Sequence, residues 1–118
     1  MAETERLDKK IEVWGNIKVL DEELDEYVFK PGKIKDKPIW CKIIPQTGSL
    51  QKQQADTILS NTTHKIKVRY GVGKDLTQDM WFIFKEGNIK HRFDIKYILD
   101  PYFAREFLEI FCEEIIGG

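Results

Sequence analysis

Between Thr63 and Tyr70 apolar and polar positions alternate strictly, with His64, Ile66, Val68 and Tyr70 interleaved among Thr63, Lys65, Lys67 and Arg69. A period of two places one set on each face of a strand, apolar inward and cationic outward. A helix would set Ile66 and Val68 about 200 degrees apart and leave no apolar face. The same pattern returns after Glu86-Gly87-Asn88, a glycine-asparagine hairpin signal. There Ile89, His91, Phe93, Ile95 and Tyr97 face inward against Lys90, Arg92, Asp94 and Lys96, which predicts a second strand with a basic outer face. Between the two, Gly71-Val72-Gly73-Lys74 reads as a turn, because the spacing of a phosphate-binding loop is absent. Met80, Trp81, Phe82, Ile83 and Phe84 follow without interruption, the mark of a strand covered on both faces and the expected centre of the core.

The first part of the chain extends the same architecture. Residues 1–10 are polar and charged without periodicity and predict a mobile arm, so the folded domain is expected over 11–116. Ile11, Val13, Ile17 and Val19 share one face of a first strand, with Trp14 on the other and Gly15 as a candidate bulge. The acidic run 21–26, broken by Leu24, reads as a solvated turn, with a basic partner as the sharper alternative. Tyr27, Val28 and Phe29 form a short apolar run stopped by Pro31 and Gly32. After the polar connection 33–37, Pro38 and Pro45 bracket a strand over 39–44, as expected where proline is confined to strand ends.

Two stretches resist this scheme. Residues 46–62 form a connection far longer than the usual 4 to 6 or so. They are rich in glutamine and hold no aromatic residue. Leu50, Ala55, Ile58 and Leu59 offer little apolar area against an ordering cost of roughly 1 to 2 kcal/mol per residue. A long loop, mobile in the isolated protein, is expected there, with room for one helical turn after Ser49. At the other end of the chain, Asp100-Pro101 resembles a helix N-cap and Phe103, Phe107 and Phe111 recur every four residues. Read as a strand, Leu108, Ile110 and Cys112 face one way and Phe107, Glu109, Phe111 and Glu113 the other. Local signals lean to helix.

Composition narrows the function. A chain of 118 residues suffices for one self-sufficient domain. Its two cysteines, Cys41 and Cys112, lie in apolar alternating stretches and are expected reduced in a cytosolic protein without a disulfide. No apolar run approaches a membrane span. A net charge of −1 gives no overall attraction for nucleic acid, although both signs are dense locally. No enzyme is predicted: no nucleophile elbow and no zinc-ligand spacing occurs, and both histidines sit on apolar sides where a packed, hydrogen-bonded ring is the ordinary outcome. No cofactor or metal is expected. The residues alone thus predict an all-β fold, a small antiparallel β-barrel of about six to seven strands with one long loop, that binds something.

Order and spacing add a family. Trp40 in a strand, a long polar loop, Thr63 to Tyr70, the Gly71 turn, Asp79-Met80, the Gly87 hairpin, Phe93-Asp94-Ile95 with Ile98, Asp100-Pro101 and the terminal Phe107 to Glu114 resemble the phage head-tail joining, or head-closure, family. The resemblance spans about residues 11 to 115, and the lysine-rich style is similar to versions in PBSX-like defective prophages of Bacillus. It implies that the terminal segment is a strand. It also implies a structural virion protein of the head-tail connector, present in the host cytoplasm during assembly and then in the virion. Such a protein forms a dodecameric ring of its own copies below the portal and adaptor, with a tail-completion or tail protein beneath it and packaged double-stranded DNA in the channel.

On that reading 46–62 takes the place of the channel-facing stopper, with Gln46, Ser49, Gln51, Lys52, Gln53 and Gln54 offering neutral amides and few charges to passing DNA. Lys65, Lys67, Arg69, Lys90 and Arg92 are candidates to meet Glu109 and Glu113, together with Glu106, on a neighbouring subunit, with Phe107 and Phe111 as apolar anchors. The acidic turn and the 33–37 connection are longer and more charged than the family pattern. The rival is a single-strand nucleic-acid-binding barrel of the OB or SH3-like type, which stacks bases on exposed aromatics set among cations. Against it, Phe93 and Tyr97 are expected to point away from Lys90, Arg92 and Lys96.

Overall fold

The computed structural model of the chain describes residues 6–46 and 62–116, and among these residues seven antiparallel strands account for nearly all the regular structure. In chain order they are β1 (Lys9–Asp21), β2 (Glu26–Lys33), β3 (Ile39–Pro45), β4 (His64–Arg69), β5 (Trp81–Glu86), β6 (Ile89–Leu99) and β7 (Phe107–Ile115). The sheet order is β2-β1-β3-β4-β7-β6-β5, and β5 returns to pair with β1. Six strands therefore close into a ring, and β2 stays outside it, paired with β1 alone.

β1 makes this closure possible by changing partners along its length. Lys9 to Ile11 pair with β3, Glu12 to Trp14 pair with β5, and Trp14 to Asp21 pair with β2. The strand runs unbroken through Gly15, the candidate bulge; a side chain there would meet Ile34 at 3.0 Å, so the glycine serves close packing. β1 begins at Lys9, two residues before the expected domain start, and residues 1–5 of the expected arm lie outside those described.

The core fills the inside of the ring. Phe82 is the largest fully buried side chain and lies directly opposite Val13 on one side and Phe93 on the other. Ile66, Val68, Ile95, Leu108, Ile110 and both cysteines complete the interior, and Leu76 caps one end behind a single helical turn, α1 (Tyr70–Gly73). Cys41 and Cys112 are free thiols, and burial pushes the Cys41 thiol up to about 12. α1 fits only because Gly73 has no side chain: a Cβ there would sit 2.6 Å from Val68 and 3.0 Å from Leu108. Gly73→Ala is expected to destabilise the fold by about 1–3 kcal/mol through overpacking. A denaturation midpoint equal to that of the natural protein would contradict it.

Two readings of the pattern change. β6 carries a bulge between Ile95 and Tyr97, so Ile95 opposes Cys112 whereas Tyr97 opposes Phe111. One extra residue reverses the parity, and Tyr97 leaves the inner face and packs beside Phe111 on the outside, with ring centroids 6.1 Å apart. The terminal segment is strand β7, against the local lean to helix, as the family resemblance implies. Helical geometry there is confined to a 3₁₀ turn at Pro101–Phe103, and β7 then fills the place between β4 and β6 that closure requires.

Candidate docking surfaces

The two ends of the closed sheet differ in chemistry. At one end the β1–β2 ladder continues from Trp14 opposite Lys33 to Asp21 opposite Glu26, beyond the last pairings of β1 with β3 and β5. One face of this arm is partly covered by its own side chains, with Ile17 lying over Gly32 and Val19 opposite Val28. The other face carries Leu20, Tyr27, Pro31 and Phe29, the last 70% exposed. A two-stranded ribbon is marginal alone. Its tip is fixed by Asp21, whose Oδ1 accepts from the backbone N–H of Glu23 at 3.0 Å and of Leu24 at 3.4 Å, and Asp25 takes the left-handed conformation. The acidic turn is therefore an ordered tip that presents Leu24 among carboxylates.

A second apolar feature stands at the same end. Tyr102 and Phe103, between β6 and β7, are 96% and 88% exposed. Both have positive φ, as does Arg105, whose N–H donates to Asp100 Oδ1 at 3.1 Å. Left-handed backbone at residues other than glycine costs on the order of 1–3 kcal/mol each. Neither ring gains burial within the chain in return.

The outer wall accounts for most of the sequence-predicted interface. Lys65 pairs with Glu109 at 3.6 Å and Lys96 with Glu113 at 3.4 Å. Lys67 and Arg69 lie over the ring of Phe107, 4.7 and 5.5 Å from its centroid. Phe111 is only 7% exposed, so it has little area left for a neighbour. β7 lies between β4 and β6, and its acids meet the two basic rows inside one chain. Lys90 and Arg92 instead line an open groove of about 450 Å³ with Trp14, Trp81, Pro31 and Glu12. Trp14 and Trp81 share this outer wall with the cations, contrary to the expectation that aromatic and basic sets occupy opposite faces. The Arg92 guanidinium sits 4.2 Å from the Trp81 ring centroid, so that ring is already covered by the chain's own cation.

The opposite end carries polar chemistry. Gln46 and Thr63 close the base of the long connection through a 2.9 Å backbone hydrogen bond; the predicted stopper residues Ser49, Gln51, Lys52, Gln53 and Gln54 lie outside the described residues. Beside it His91 is held by Glu114 at 2.8 Å and Glu86 at 3.2 Å, between the rings of Phe84 and Phe93. The hydrogen bond to Glu114, then that to Glu86, raises its pKa, whereas burial lowers that of His64. With the folded value above the ordinary 6.5, the stability His91 contributes is complete below that pH and is lost as pH rises through the folded value. His91→Gln should flatten the fall in melting temperature between about pH 6 and pH 8. An unchanged pH profile would show that the two carboxylates do not act on this ring.

The family model described as phage head completion protein matches residues 3–115. The chain belongs to the phage head completion protein family. Its role is structural, in phage head assembly, as a virion component that works with other head and tail proteins. The solution structure of protein SF1141 from Shigella flexneri 2a shares the fold, with a TM-score of 0.74 at 20% identity over 96% of each chain. No curated protein sequence matches the chain significantly. Among the described residues no helix of this head completion protein is long and apolar enough to cross a membrane.

Sequence reasoning missed the features that dominate the hairpin end. Tyr27, Phe29 and Pro31 share the parity of an exposed face, but so short an apolar run carries little signal. Tyr102 is hidden inside an apparent helix start, where its neighbours Pro101 and Phe103 supply the misleading signal.

Proposed function

We propose that this head completion protein assembles as a ring under the portal or its adaptor, closes the DNA-filled head and presents a docking surface to the tail. The observation that carries the reading is the pair Tyr102 and Phe103, held almost fully exposed on strained backbone at the same end of the closed sheet as the β1–β2 arm. Strain retained without internal burial points to an external contact. A closed, well-packed sheet gives such anchors a rigid base, so binding loses little to ordering. At the opposite end the loop 46–62 would face the channel, its glutamines and serine holding double-stranded DNA without strong phosphate contacts. Copies would meet head to tail, as a ring requires, with one patch of each subunit against a different patch of the next.

The test is co-sedimentation of the purified protein with DNA-filled, tailless heads made without it, followed by nuclease treatment. Binding in ring stoichiometry with protection of the packaged DNA is the expected result. Failure to bind heads that a complete lysate can still convert to phage would overturn the proposal.

A further inference from the structure

We propose that the acidic tip of the β1–β2 arm of one copy docks in the outer-wall groove of the next, and that this contact joins neighbouring subunits. The inference rests on the ring reading above and names the surfaces that would form it.

The groove is a built site. Its floor holds Glu12, which accepts from Trp14 Nε1 at 3.0 Å and pairs with Lys33 at 3.6 Å and Lys85 at 3.2 Å. These contacts neutralise the carboxylate that would repel an acidic occupant. Lys85 and Lys90 stand directly opposite each other on β5 and β6 at one end, and Asn16 and Pro31 close the other end at the base of the arm. The open wall of Trp14 and Pro31 beside the cations suits an apolar side chain flanked by carboxylates.

The tip has that composition. Glu22, Glu23, Asp25 and Glu26 are exposed around Leu24, and the Asp21 turn holds them in one arrangement. It cannot reach the groove of its own chain. Five residue steps of paired ladder lead from Asn16 to Asp21, so the tip stands about 17 Å beyond the groove's upper end and points away from it. The match of charge is therefore met between copies, tip to groove, and each copy keeps one tip and one groove free for its two neighbours. Such a heterologous contact closes into a ring when its rotation permits, and charge complementarity sets its orientation.

Two sets of variants test it in the head-completion assay. Asn16→Glu with Lys90→Glu reverses the groove while leaving the Glu12 pairs and the Arg92 contact intact, and Glu22→Lys with Glu23→Lys reverses the tip while keeping Asp21 and Asp25. Each pair alone should lower the number of nuclease-protected heads at least tenfold, and the four changes in one chain should restore them. Leu24→Cys with Lys90→Cys should give a disulfide-linked ladder of this chain on completed heads, because the natural cysteines are buried. Loss of protection without rescue, protection unaffected by either reversal, or Leu24→Cys linked to a portal or tail polypeptide would overturn the contact. Wild-type protein that does not protect heads would overturn the function on which it rests, and the two failures are thus separable.

Discussion

Replacing Tyr102 and Phe103 together with aspartate is expected to abolish head completion while the monomer remains folded. Both rings lie at the hairpin end with almost their whole surface in water, so their removal forfeits no core packing. Anchors of this kind are commonly worth about 2 kcal/mol or more each at an interface. Losing both therefore predicts a fall of about a thousandfold or greater in affinity for heads or tails. The fold should tolerate the change, since aspartate accepts the left-handed conformation better than an aromatic residue does. Melting temperature and head protection, measured on the same preparation, decide the matter. Normal protection by the double variant would remove these rings from the docking surface, whereas a collapsed melting temperature would show that they support the fold. Glycine at both positions is the complementary variant, because it relieves the backbone without adding charge.

Phe82→Ala should have the largest effect on stability. This side chain is wholly buried, and its register partners Val13 and Phe93 are core residues of the two flanking strands, so the cavity would open where the ring is closed by the β1–β5 pairing. A loss of about 3–5 kcal/mol is expected. Against the roughly 5–15 kcal/mol that holds small domains together, much of the population would lose its closed sheet at physiological temperature. Chemical denaturation should show a lower midpoint, and tryptophan emission from Trp81, the residue before Phe82, should report the opening. A change under about 1 kcal/mol, the level of an exposed or half-exposed site, would mean that β5 is not central to the core.

The contrast between these two predictions shows which kind of information each part of the chain carries. Phe82 could be placed at the core from the pattern alone, because five consecutive apolar residues put apolar side chains on both faces of a strand and both must then be covered. Tyr102 and Phe103 could not, because a proline followed by aromatics at helical spacing is equally good local grammar for a helix. The competition was settled by the empty place between β4 and β6, which only a strand can fill. The predicted contact of Lys65, Lys67 and Arg69 with acids of a neighbour illustrates the same limit. Alternation correctly put cations outside, but it could not show that β7 would bring Glu109 to Lys65 and Phe107 beneath Lys67 and Arg69 within one chain.

The sequence by itself determined the strands other than β7 and the end of β2, which runs on through Pro31 and Gly32, together with most inward faces, the core cysteines and the family. These follow from periodicity and residue order, which act over a few neighbouring positions. Only the tertiary structure decided which strands meet to close the sheet, the bulge that turns Tyr97 outward, the pairing of basic rows with β7 and the projection of the β1–β2 arm. Each depends on which distant strand supplies the partner, and on one extra residue that reverses a whole face, quantities to which a local pattern of hydrophobic and polar positions is blind.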